Sequence, residues 1–351
     1  MRSLDKTVLE TFDLEIGYKT KGKLKAVAKH IHLKLNRGQL TCLLGPNGAG
    51  KSTLIKTLCG LLPPIQGYIN LCNDDLSKLP PHEIALYLSL VLTDRVETEI
   101  SVYDVVALGR APYTDWRGKL SDQDRERIRW GIQLTGIEKF IHQKINELSD
   151  GERQKVMIAR ALTQDTALII LDEPTAHLDL PNRVEVFRLL RTLAHQTNKG
   201  ILLSTHELDL ALQAADTIWM MQPGESLRTG VPEDLVINGT FESVFQREGL
   251  DFNKSTGAFQ FHPKGIHPVE LIGSGSLTFW TQKALERKGF CISTLFNSEF
   301  KIEVLENKNG KHCWVSSLGG EYKTHYSIAE LMYTLEHTAK KAEQGTIKKA
   351  Y

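Results

Sequence analysis

The sequence predicts a two-part α/β chain: a parallel sheet wrapped by helices and carrying a helical insert, then a small α+β domain. Three observations predict it. The short runs "LTCLL" 40–44, "ALIIL" 167–171 and "ILL" 201–203 show no polar alternation, so each reads as a strand buried on both faces. Each run ends in polar residues or glycine ("GPNGAGKST", "DEPT", "STHE"), and in open α/β sheets ligands sit beyond the carboxyl ends of the strands. After residue 266 the pattern changes to a strand, a helix and an alternating hairpin.

The elements follow in order. Between the first two runs, about residues 100–165, the pattern turns helical. "SDQD" 121–124 is a capping signal, with Ile128 and Ile132 on one helical face behind it. The turn-rich segment 250–265 closes a first domain, 1–262. In the second, 266–351, "PVELI" reads as a strand and "SLTFWTQKALERKGF" as a helix. "FKIEVLE" 300–306 and "KHCWVSS" 311–317 are expected to pair antiparallel through Asn309-Gly310, and "SIAE" 327–330 to cap a last helix.

Composition bounds the partners. Of 351 residues 41% are apolar, enough for a sizeable core, and 43 Lys+Arg against 42 Asp+Glu leave a net charge of +1. That balance argues against a broad grip on nucleic acid. The five cysteines form no CxxC pair and are expected as reduced thiols. No apolar run approaches the roughly 20 residues that cross a bilayer, so a membrane role is expected to run through a partner.

The chemistry starts at residues 45–52, "GPNGAGKS", which fits G-x-x-x-x-G-K-[ST] between a strand and a helix. Gly45, Pro46, Asn47, Gly48, Ala49, Gly50, Lys51, Ser52 and Thr53 are the expected ATP-binding residues. Their backbone N–H groups and the helix N-terminus cradle phosphate. Lys51 reaches the terminal phosphates, and the Ser52 hydroxyl ligates Mg²⁺. The strand "LIILDEP" delivers Asp172, to hold Mg²⁺, and Glu173, to deprotonate a water for attack on the γ-phosphate. In "STHE", His206 is placed to touch that phosphate and the water. His30 and His32 have no third ligand and read as a surface strand.

"LSDGERQ" 148–154 is a second glycine-marked turn opening a helix, "ERQKVMIARAL". It also offers free N–H groups, a hydroxyl and a helix N-terminus. The first loop already encloses the phosphates on one side, so the economical reading is two copies of the chain, head to tail. Each then lends its second turn to the nucleotide held by the other.

With these motifs the chain resembles an ATP-binding cassette (ABC) ATPase, the motor subunit of a membrane transporter, over about residues 8–260. The resemblance implies a P-loop NTPase cassette: a RecA-like core with a helical subdomain. "GPNGAGKST" corresponds to the Walker A loop, "LIILDEP" to Walker B, and Leu148, Ser149, Asp150, Gly151 and Glu152 to the signature offered in trans. "HLD" resembles the D-loop, placing Asp179 at a homodimer interface, and Tyr18 matches the aromatic that stacks on adenine. Two positions depart from the family pattern. The signature reads LSDGE where LSGGQ is commonest, so Asp150 and Glu152 must point away or be offset by Arg153. Thr93 stands where the metal-contacting Q-loop glutamine is expected.

"VYDVVALGRAPYTDWRG" 102–118 is similar to the corresponding stretch of iron-chelate, haem and cobalamin importers, where a permease helix docks nearby. The resemblance implies an importer of an iron–siderophore or related chelate, peripheral on the cytoplasmic face of the inner membrane. Its partners would be integral permease subunits and, indirectly, a periplasmic or lipoprotein substrate-binding protein, with no nucleic acid. Haem or cobalamin import, an exporter motor, and a soluble cassette acting on ribosomes or DNA are the alternatives. Residues 266–351 are expected to serve dimerisation or regulation, with small-ligand sensing or packing alone as the alternatives.

Overall fold

The computed structural model describes residues 6–20, 23–92, 98–246, 250–261, 267–292, 300–306, 312–318 and 320–347. The chain divides into two compact units, Met1–Gln246 with Phe252–Ala258, and Arg247–Asp251 with Phe259–Tyr351.

The first unit opens with β1 (Thr7–Thr20), β2 (Lys23–Ile31), β3 (Lys34–Asn36) and β4 (Leu40–Leu44), then α1 (Lys51–Leu58). Next come β5 (Gln66–Leu71), β6 (Asp74–Asp75), α2 (Pro81–Tyr87) and β7 (Leu88–Val91). The helical insert holds α3 (Val102–Ala107), a 3₁₀ stretch Leu108–Tyr113, α4 (Asp122–Thr135) and α5 (Asp150–Thr163). The core resumes with β8 (Leu168–Asp172), α6 (Leu180–Thr197), β9 (Gly200–Ser204), α7 (Leu208–Ala214), β10 (Thr217–Met220), β11 (Arg228–Gly230), α8 (Pro232–Ile237) and α9 (Thr240–Phe245).

The central sheet has the order β11-β10-β4-β9-β8-β7, parallel except for β11. Every residue of β4, β8 and β9 is buried, as the unbroken apolar runs require of strands covered on both faces. The register aligns Leu43, Ser204 and Asp172 in one row across β4, β9 and β8, so the three polar strand ends emerge side by side. A second, antiparallel sheet, β2-β1-β5-β6 with β3 on β1, has mixed composition and no clean alternation, and sequence patterning did not find it. His30 and His32 both lie against Asp13 there, with His30 Nδ1 2.7 Å and His32 Nε2 3.9 Å from Asp13 Oδ1.

The insert is built as the capping signals predict. Ser121 and Asp124 form a capping box on α4, with Ile128 and Ile132 buried behind it. Val156, Ile158 and Leu162 of α5 are fully buried, each contributing about 1.5–3 kcal/mol. Arg110 is pinned in the insert, donating from Nε to Asp124 (2.7 Å) and from Nη1 to the Thr163 carbonyl (3.0 Å).

β12 (Leu250–Asn253) and β13 (Ala258–Phe261) form a two-stranded sheet. The second unit contains β14 (His267–Ile272), α10 (Gly275–Arg287), β15 (Phe290–Ile292), β16 (Phe300–Glu306), β17 (His312–Leu318), β18 (Glu321–His325) and α11 (Ile328–Ile347). Its sheet order is β15-β14-β16-β17-β18, parallel at β15-β14-β16 and antiparallel beyond. β16 and β17 pair antiparallel as expected, while Asn309-Gly310 between them lies outside the described residues. Ser327 caps α11 by accepting from the Glu330 N–H (3.1 Å). This unit has its own core, with Trp314 donating to Thr281 Oγ1 at 2.7 Å inside it.

Candidate nucleotide site

The phosphate loop connects β4 to α1. Gly50 stands at the α1 N-cap with φ 107°, a left-handed conformation that glycine adopts at little cost, and a Cβ there would lie 2.2 Å from Val27 Cγ1. At Gly45 the constraint is proximity: a Cβ would lie 2.3 Å from the Met221 carbonyl. Lys51 is 6% exposed and folds back to donate to the carbonyls of Gly45 (2.8 Å) and Pro46 (3.5 Å). Burial pushes its pKa down, opposed by the nearby negative charges of Glu173 and Asp172.

Glu173 follows β8 in a strained position, with φ 48°, worth roughly 1–3 kcal/mol in a residue other than glycine. Ser204, at the end of β9, holds it there. The Glu173 N–H donates to Ser204 Oγ (2.9 Å) and to the Ser204 carbonyl (3.2 Å), while the Ser204 hydroxyl donates to Asp172 Oδ1 (2.5 Å). The buried serine therefore fixes both carboxylate residues at once. His206 Nε2 lies 2.6 Å from Glu173 Oε1, so the two residues expected to act on water meet directly. Sequence reading assigned Ser204 no role, because a serine closing an apolar run looks like an ordinary strand end.

A cavity of about 680 Å³ opens at the phosphate loop, with Tyr18, Lys25, Lys51, Ser52 and Glu173 in its wall. Pro223 and Gly224, which sequence reading also missed, complete it. Tyr18 is half-exposed on β1, paired with Lys25 on β2, whose Nζ sits 5.9 Å from the ring centroid. A flat ring at the cavity mouth suits stacking against a base. Tyr18→Ala is expected to raise KM for ATP roughly tenfold with kcat retained, the loss of one base–aromatic stack. Steady-state ATPase titrations check this.

The resemblance also implies Mg²⁺. Ser52 brings an exposed hydroxyl on the first turn of α1, and Asp172 a carboxylate at its strand end. Hard oxygen donors of this kind suit a cation that keeps several waters and takes further ligands from phosphate. Among the described residues, no three His, Cys, Asp or Glu side chains are grouped to hold a metal. Thr93 lies outside the described residues.

The second turn is separate from this cavity. Ser149 caps α5 in a reciprocal box with Glu152: the Ser149 N–H and hydroxyl donate to Glu152 Oε2 at 3.0 and 2.7 Å. The hydroxyl's hydrogen bond holds the Glu152 carboxyl below its ordinary pKa. Arg153 answers Asp150 at 2.8 Å and donates to the Leu148 carbonyl at 2.9 Å, supplying the offset that the LSDGE variant needs. Gly151 packs on Asn182, and a Cβ there would meet its amide at 2.7 Å. Asp179 caps α6, accepting from the Asn182 N–H at 3.2 Å.

Comparison with known proteins follows the same division. Residues 28–176 match the ABC transporter family, and residues 266–336 match the iron ABC transporter C-terminal domain. Over 254 residues the chain is 37% identical to the uncharacterized ABC transporter ATP-binding protein MJ0873 of Methanocaldococcus jannaschii, covering 72% of this chain and 86% of that one. Over 239 residues it is 31% identical to the iron(3+)-hydroxamate import ATP-binding protein FhuC of Bacillus subtilis, covering 68% and 87%. Among solved structures, CbiO1 from Clostridium perfringens, part of the ABC transporter complex CbiONQ, matches with a TM-score of 0.58 at 27% identity, covering 67% of this chain and 95% of that one.

Proposed function

Because the chain belongs to the ATP-binding subunits of ABC transporters, we propose that it is the ATP-hydrolysing motor of an importer for an iron–siderophore or related iron chelate. It works as a homodimer beneath integral permease subunits, peripheral on the cytoplasmic face of the membrane, and serves a substrate-binding protein through them. The observation that carries the enzymatic reading is the cluster in which Ser204 fixes Asp172 and Glu173, His206 meets Glu173, and the Lys51 ammonium lies within the field of both carboxylates. The import and iron assignments are supported by the hydroxamate-import relative and by the match of residues 266–336. Among the described residues no helix is long and apolar enough to cross a membrane.

In this reading Tyr18 stacks on adenine, and the phosphate-loop N–H groups with Lys51 hold the β- and γ-phosphates. Ser52 and Asp172 would hold Mg²⁺, which would supply positive charge against the phosphates. Glu173 accepts the proton of the attacking water. His206 orients that carboxylate and donates to a γ-phosphate oxygen. The partner copy's turn, Leu148–Glu152, closes the site, with its Ser149 hydroxyl exchanging Glu152 for phosphate. Permease docking near Gly109–Trp116 is supported by Trp116, which is 86% exposed on a segment that Arg110 anchors.

Two measurements test the reading. Ser149→Arg is expected to abolish steady-state hydrolysis while nucleotide affinity of the isolated chain, read by calorimetry, stays unchanged. Full turnover in that variant would remove the shared site. Isolation of the tagged chain from membranes is expected to bring down an integral protein whose ferric-chelate uptake stops without this subunit. An accompanying ribosome or DNA fragment would overturn the transport assignment.

A further inference from the structure

We propose that Arg183 is a positioning residue that ties the Asp179 corner to the water-activating pair Glu173–His206. The observation is a closed ring of contacts. The Glu173 carbonyl accepts from the Ala176 N–H at 3.2 Å, and the Leu178 N–H donates to the Thr175 carbonyl at 3.1 Å, so the chain from Glu173 to Leu178 is a hydrogen-bonded turn. Asp179 follows as the α6 cap. One turn into α6, Arg183 reaches back, donating from Nε to the Leu178 carbonyl at 2.6 Å. Its Nη1 donates to Glu207 Oε1 at 2.7 Å. Glu207 is the neighbour of His206, and its N–H donates to the buried Thr205 Oγ1 at 3.0 Å. Thr205 is tied to β4 through its N–H and the Leu43 carbonyl at 3.2 Å. His206 then closes the ring onto Glu173.

A planar guanidinium presents its donors at fixed angles, so one side chain gripping two acceptors sets their separation. Removing it frees the Asp179 turn and the His206 segment to move independently. The side chains of Arg183 and Glu207 are 32% and 26% exposed, and a solvent-screened pair of this kind adds little to folding stability. Its effect is therefore expected on turnover rather than on melting temperature. This inference rests on the reading of Glu173 as the water-activating carboxylate and of Asp179 as lying at the interface between copies.

The test uses the purified full chain with Mg·ATP. Arg183→Ala is expected to lower kcat about tenfold or more with KM for ATP little changed, the pattern of a group acting on geometry in the transition state. Glu207→Ala removes the acceptor at the other end of the same link and leaves Arg183 in place, so it serves alone should Arg183→Ala not fold. The double variant is expected to be no slower than the worse single variant, because both remove one link. Singles that keep kcat, or losses that multiply in the double, overturn the proposal. Glu173→Gln run alongside separates the two levels. If it turns over fully, the reading of Glu173 fails; if it is inactive while both link variants run at full rate, only the role of Arg183 falls.

Discussion

Glu173→Gln will bind ATP and hardly hydrolyse it, with kcat reduced by about 10²- to 10⁴-fold, the usual contribution of a positioned general base. The substitution keeps the side chain's shape and a carbonyl oxygen for His206, but removes the proton acceptor. The backbone at Glu173 is held by Ser204 through its own N–H, independent of the side chain, so the left-handed turn survives the change. Affinity for ATP is expected to be retained or raised, since one negative charge beside the triphosphate is gone. Single-turnover hydrolysis with calorimetric binding reads both effects, and turnover at the unaltered rate would show that another group activates the water.

Lys51→Ala will lose ATP affinity by roughly tenfold to a hundredfold, the scale of about 1.5–3 kcal/mol for a hydrogen bond to a charged group. The ammonium is buried in the loop it serves and bonded to the Gly45 and Pro46 carbonyls. Substitution leaves those two carbonyls without their cation and the triphosphate without its counter-charge. The fold is expected to persist, because the glycine geometry and the α1 core contacts of Leu54 and Ile55 do not involve the ammonium. Nucleotide affinity equal to that of the unaltered chain, by calorimetry, would contradict the assignment of this loop.

Much of the site was legible because its parts are local. The phosphate loop and the capping serines are written in contiguous residues, and the apolar runs that became β4, β8 and β9 could only be strands covered on both faces. The offset of Asp150 by Arg153 was legible too, as a pair three positions apart on one helix. What sequence could not show is pairing across the fold. The Ser204–Asp172 hydrogen bond joins residues 32 positions apart, and Arg183 meets Glu207 across 24. Neither pair has a periodicity to betray it. The left-handed backbone at Glu173 was hidden as well, since a glutamate gives no signal of positive φ. The antiparallel sheet around β1 escaped because its strands alternate irregularly and are interrupted by register shifts near Asp13 and His30.

The account turns on two copies sharing two nucleotides, and sedimentation of Glu173→Gln tests that most directly. With saturating Mg·ATP the variant is expected to sediment as a dimer and to return to monomer when nucleotide is removed. A monomer at saturating Mg·ATP, with turnover of the unaltered chain first-order in enzyme, would contradict it.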